Sequence, residues 1–168
     1  EMCIRDRDEI IRTSVRKYAR QFIAKKISLS YEPVERTVIT DKKWLSFVIE
    51  QVISNAVKYT KTGGIKIYLE DGDGTMSVPV QKASHRKEDD GENSGMKSVR
   101  LVIEDTGIGI RAEDLPRICE MGYTGCNGHE RQHSSGIGLY LCSRILKKLG
   151  HTFSITSKEG VGTVVKIG

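Results

Sequence analysis

No apolar run in the sequence approaches the roughly 18–20 residues needed to span a bilayer. The opening residues, Glu-Met-Cys-Ile-Arg-Asp-Arg, hold no signal-peptide apolar stretch. The chain is therefore expected to be cytosolic in character, with any membrane attachment supplied by parent segments outside it. The four cysteines (Cys3, Cys119, Cys126, Cys142) form no CxxC pair and no metal-ligand spacing, so a reducing compartment is the simpler reading. There is no internal repeat, and no recognised nucleic-acid motif accompanies the net charge of +5. The densest basic stretch, Arg16 to Lys26, has helical spacing and reads as a solvated face. No nucleic-acid partner is expected.

The 168 residues, 38% hydrophobic and 29% charged, suit one soluble globular domain with a real core. Ile10, Ile11, Val15, Tyr18, Phe22 and Ile23 recur at intervals of one, three and four, which predicts a helix over 8–26 with one apolar stripe. Ile27 to Tyr31 alternates as a strand, ended by Pro33, and Arg36 to Thr40 offers a second short strand. Thr40 or Asp41 can cap a helix over 42–59, whose broad apolar face runs from Leu45 to Ala56 and which Gly63-Gly64 stops. Strands are expected at 65–69 and 98–104. Between them, residues 71–97 turn abruptly to Gly, Ser, Asp, Glu and Lys and read as a flexible insertion. A helical turn or two near Ala112–Glu120, a helix over 136–149 closed by Gly150, and a hairpin of strands 151–157 and 162–167 complete the chain. Cys142 falls among Leu139, Leu141, Ile145 and Leu146, where a thiol acts as a small apolar residue. Adjacent strands and a terminal hairpin imply an α+β fold: a two-layer sandwich with a mixed, largely antiparallel sheet and helices on one face.

Three clusters carry chemistry. Gln51, Asn55 and Lys58-Tyr59 share one helical face, where amide oxygens suit Mg²⁺ and an ammonium suits phosphate. Taken alone, a solvated helix face explains them more simply. Asp105-Thr106-Gly107-Ile108-Gly109 ends a strand with a carboxylate able to accept a hydrogen bond from an exocyclic amine such as that of adenine, and its glycines let a ligand approach. A tight turn explains it equally well. Gly136-Ile137-Gly138 opens a helix whose unpaired N–H groups and dipole suit a triphosphate, and a structural glycine turn is the matching bland account.

Order and spacing decide between these accounts. The succession resembles the N, G1 and G2 boxes of the GHKL ATPase superfamily (gyrase, Hsp90, histidine kinase, MutL), over roughly residues 8–168, in one domain spanning 1–168. Asn55-Ala56-Val57-Lys58-Tyr59-Thr60 resembles the kinase form of the N box. The resemblance implies the ATP-binding catalytic domain of a bacterial sensor histidine kinase. Asn55 then coordinates Mg²⁺, Lys58 contacts phosphate and Tyr59 lies near the nucleotide. Asp105 binds the adenine amine, Gly107 and Gly109 shape the pocket, and Ile110 is counted with them. Gly136, Gly138 and Leu139 cradle the phosphates beneath a lid over 111–135, and Thr163 supports the adenine pocket through solvent. Gln51 stands where the family often has Asn, so its part in holding the metal is less direct.

The resemblance also implies partners: ATP, a histidine-bearing dimerisation domain of the same parent, and a cognate response regulator, with the parent held in the bacterial cell membrane. His85, His129, His133 and His151 all fall in loops or at a strand start, so the phosphate acceptor is expected outside the chain. Gly122 to Gly125 and Gly136 to Cys142 further resemble the intramembrane-sensing kinases of Gram-positive bacteria that respond to antimicrobial peptides. A GHKL nucleotide switch or ATPase, or an anti-sigma-type serine kinase, is the alternative. Gyrase-like and Hsp90-like members use a glutamate on the N-box helix, whereas Glu50 lies about 140° around that helix from Asn55. His129-Glu130-Arg131-Gln132-His133 fits the zinc-protease pattern HExxH. Glycines flank it, however, and no apolar stripe supports the helix that pattern needs.

Overall fold

The computed structural model describes residues 6–33, 40–71, 99–125 and 135–168. The expected strand at 36–40 falls outside these residues except for Thr40, as do nearly all of the 71–97 insertion and the whole His129–His133 motif.

The chain opens with α1 (Asp6–Lys25) and β1 (Ser28–Tyr31), followed by α2 (Lys42–Tyr59), β2 (Gly64–Asp71) and β3 (Val99–Asp105). A 3-10 turn (Leu115–Arg117), α3 (Gly138–Lys148) and the hairpin of β4 (Phe153–Lys158) and β5 (Gly162–Ile167) complete it. The sheet order is β1-β2-β3-β5-β4. β1 pairs with β2 in parallel and the remaining pairs are antiparallel, giving the expected mixed sheet.

Alternation along the strands builds the sandwich. Ile65 and Ile67 of β2, Leu101 and Ile103 of β3, and Val165 and Ile167 of β5 are buried in one cluster with α1, α2 and α3. The opposite face carries Lys66, Glu70, Glu104 and Lys166, and Lys166 Nζ donates to Glu70 at 2.6 Å. α2 is the central rod: Leu45, Val48, Ile49, Val52, Ile53, Ala56 and Val57 are all buried. It starts where Asp41 accepts from the N–H groups of Lys43 (2.9 Å) and Trp44 (3.2 Å).

The bounds of α2 are as expected, and four local details differ. Ile23 is 78% exposed and does not belong to the α1 stripe. It stands about 100° around the helix from buried Phe22, and Ser14 takes a core-facing position instead. Leu29 shares a sheet face with its buried partner Ile65 yet is 37% exposed, because β1 is an edge strand. α2 stops at Tyr59 with Thr60 as its cap, ahead of Gly63-Gly64, and Gly64 already begins β2. α3 begins at Gly138, two residues after the glycine expected to open it.

Candidate functional site

The C-terminal half of α2, the end of β3, the loop after it and the start of α3 meet around one cavity of about 390 Å³. Gln51, Asn55, Lys58 and Tyr59 line it from α2, Asp105, Gly109 and Ile110 from β3 and its loop, Gly136, Gly138 and Leu139 from the α3 start, and Thr163 from β5. Every site residue read from the sequence is there except Gly107, which lies behind the wall. A side chain at 107 would stand 2.8 Å from the Tyr59 carbonyl and 2.7 Å from Asp105 Oδ1, so only glycine lets the loop lie against the end of α2.

Asp105 is the best-defined polar group. Its Oδ1 accepts from the Gly107 N–H at 2.8 Å. Asp105 faces Thr163 across the β3–β5 ladder, and the Thr163 N–H also donates to its carboxylate. Burial pushes the Asp105 carboxyl up to about 6, against the pull of those two N–H donors, and Glu104 adds a smaller push. The group is held in place yet poorly solvated, and is ready to accept a further donor from the cavity.

The floor is apolar: Ile103, Ile155 and Val165 line it beside Asp105. A flat heteroaromatic ring fits between such a floor and one carboxylate. At the other end, Lys58 Nζ lies 5.3 Å from the centroid of the Tyr59 ring. Gln51 reaches across to α3, its Oε1 only 2.5 Å from where a side chain at 138 would begin. Asn55 is one turn further along the same face. Two amide oxygens fit Mg²⁺, which takes one or two protein ligands and completes its shell with phosphate and water, and the helix N-terminus beside them suits the phosphates.

The sequence did not point to several residues of this site. Ser157 Oγ accepts from the Ile110 N–H (2.9 Å), bonds Thr163 Oγ1 (2.9 Å) and donates to the Gly162 carbonyl (2.8 Å), tying the post-β3 loop to the hairpin. Thr163 thus supports Asp105 through its backbone and this serine. Asp114, buried, accepts from the Tyr123 hydroxyl, and Arg117 lies over the Tyr123 ring at 4.4 Å. Serine on a strand and aspartate in a polar loop are too common to stand out in sequence, and only their partners distinguish them. The helical turn expected near 112–120 is the 3-10 turn at Leu115–Arg117, with Pro116 in it.

Comparison with known proteins agrees with this geometry. The family model described as "Histidine kinase-, DNA gyrase B-, and HSP90-like ATPase" matches residues 40–168. The sensor histidine kinase YxdK of Bacillus subtilis (strain 168) is 33% identical over 162 residues, 94% of this chain and 42% of that protein. The sensor protein kinase GraS of Staphylococcus aureus (strain N315) is 34% identical over 134 residues, 80% of this chain and 32% of that protein. The chain thus spans less than half the length of these curated relatives. Among solved structures, the catalytic domain of histidine kinase ThkA in a nucleotide-free form superposes with a TM-score of 0.71 at 19% identity, covering 99% of this chain and 92% of that one. Full-length ShkA in complex with AMPPNP gives a TM-score of 0.67 at 20% identity, covering 95% and 29%. These two likenesses speak to the fold.

Proposed function

The chain belongs to the family of histidine kinase-, DNA gyrase B- and HSP90-like ATPases, and we propose that it binds Mg-ATP and donates the γ-phosphate to a histidine on a separate dimerisation domain of a sensor kinase. One observation carries the reading: three motifs far apart in the chain, on α2, after β3 and at the start of α3, line a single cavity.

In this reading the adenine ring rests on Ile103, Ile155 and Val165, and its amine donates to Asp105. The triphosphate runs toward Gly136, Gly138 and Leu139, where the free N–H groups of the first turn of α3 meet its oxygens. Lys58 adds a cation beside them, and Asn55 and Gln51 hold the metal. Bound Mg²⁺ would supply charge neutralisation for a transfer that depends on positioning and electrostatics. A water-activating carboxylate, which the hydrolytic alternative requires, is absent from this wall among the described residues. Glu50 ion-pairs with Lys17 of α1, and the only carboxylates lining the cavity are Asp105 and Asp114. The response regulator and the membrane-held parent belong to the same proposal, as does membership of the intramembrane-sensing kinases; among the described residues no helix is long and apolar enough to cross a membrane.

Calorimetry with a non-hydrolysable ATP analogue, with and without Mg²⁺, tests the reading. Wild type is expected to bind in the micromolar range and Asp105→Asn to lose binding. Absence of binding by wild type would overturn it.

A further inference from the structure

The end of α2 is held from outside the cavity by a residue that no motif includes. A helix leaves its last carbonyls without intrahelical partners, and buried ones need partners elsewhere. Here each is accounted for. The Ala56 carbonyl accepts from the Thr60 N–H at 3.0 Å and the Tyr59 carbonyl from the Ile108 N–H at 3.2 Å. The Val57 and Lys58 carbonyls accept from Lys25 Nζ at 2.5 and 3.2 Å, and the same ammonium reaches the Thr60 carbonyl at 3.3 Å. Lys25 closes α1, and its cation also complements the negative end of the α2 dipole.

We infer that Lys25 is a positioning residue for the nucleotide, acting through the backbone of residues 57–60 to set where Lys58 meets the phosphates. It does not line the cavity. The Ile108 N–H on one side and the Lys25 ammonium on the other fix the last turn of α2, so the direction of the Lys58 stem depends on both. The inference rests on the proposed reading of Lys58.

The test compares a non-hydrolysable ATP analogue with adenosine, in Mg²⁺, by calorimetry. Adenosine reports the Asp105 end alone, and the ratio of the two affinities reports the phosphate end. Wild type, Lys25→Met, Lys25→Arg and Lys58→Met are measured, each checked for a cooperative thermal transition. Lys25→Met is expected to keep adenosine binding and to lower the ratio about tenfold, as small misplacements of a binding group do. Lys25→Arg, whose guanidinium can still donate to the carbonyls, is expected to restore most of it.

A ratio that falls in Lys58→Met but not in Lys25→Met overturns this inference and leaves the proposed function standing. An equal loss for both ligands in Lys25→Met makes Lys25 merely structural and also overturns it. An unchanged ratio in Lys58→Met removes the phosphate role of Lys58, and the inference with it. Failure of wild type to bind either ligand is the separate failure of the proposed function. Should Lys25→Met not fold, Lys25→Gln, which keeps a single donor group, is read by the same criteria.

Discussion

At the scale of single residues, Asp105 links stability to function. Burial pushes its carboxyl up to about 6, above the ordinary carboxylate value of 3.8, so the folded chain holds that proton more tightly than the unfolded chain does. The stability it contributes is full below the lower value and is lost as pH rises through the higher one. Burying the carboxylate at neutral pH therefore costs stability. Asp105→Asn is expected to improve in stability relative to wild type on going from pH 4 to pH 7, while losing nucleotide. Urea denaturation at both pH values checks the first part, and a variant penalised more at pH 7 would contradict it. Wild-type affinity for adenosine is expected to fall as pH drops below about 6. Adenosine is the proper probe, because a terminal phosphate itself titrates near pH ~6. A flat profile between pH 7.5 and 5 would mean that the carboxylate is not the acceptor. At the opposite end of the cavity, Gly138→Ala would drive its methyl group into Gln51 Oε1. ATP-analogue affinity should fall about tenfold while adenosine is spared. Gln51→Ala in the same chain should recover part of that loss, unless Gln51 is itself indispensable for the metal.

At the scale of elements, α2 serves as both core and cavity wall, and Val52 and Ala56 belong to both. Ile53→Ala is expected to cost about 2–5 kcal/mol of stability, because it opens a cavity beneath three helices and a sheet. Asp41→Ala removes a cap that serves two N–H groups and should cost about 1 kcal/mol, with nucleotide affinity unchanged. Chemical denaturation and calorimetry on the same samples separate these effects. A loss of affinity in Asp41→Ala would show that the helix start and the site are coupled. Element type was readable wherever periodicity was long: α2 and β5 have the bounds that their patterns predict. Burial was less legible at edges. Ile23 looked like core because hydrophobicity does not report which side of α1 faces the sheet. The alternation over 27–31 did give a strand, with Ile27 buried and Tyr31 packed on the core, while Leu29 is left half-exposed at the sheet edge. The helical turn expected near 112–120 is present, narrowed to Leu115–Arg117.

At the scale of the whole molecule, the proposed function makes the chain a nucleotide site whose acceptor is supplied by another domain. Incubated alone with ATP, it is expected to label itself little. Addition of the histidine-bearing dimerisation domain of its parent should give transfer that is stable to alkali and labile to acid, read by gel autoradiography. Labelling of a serine on another protein instead would favour the anti-sigma-type alternative. His151, the described histidine, is unsuited to the role of acceptor: its ring is engaged by the Gly168 carbonyl at 3.2 Å and Thr40 Oγ1 at 2.9 Å. It fastens the end of α3 to the chain end and to the start of α2.

The sequence by itself determined the fold class, the family and the three motif clusters, because hydrophobic period and motif order are local quantities that survive in one dimension. It also placed Cys142 in the core, where burial pushes its thiol up to about 12. Tertiary structure alone decided how the clusters are held. The Lys25 clamp on α2, the Ser157 bridge to Ile110 and Thr163, and the close approach of Gln51 to Gly138 each join residues with no fixed spacing. Any lysine, serine or glutamine can make such bonds, so only the folded chain shows which ones do.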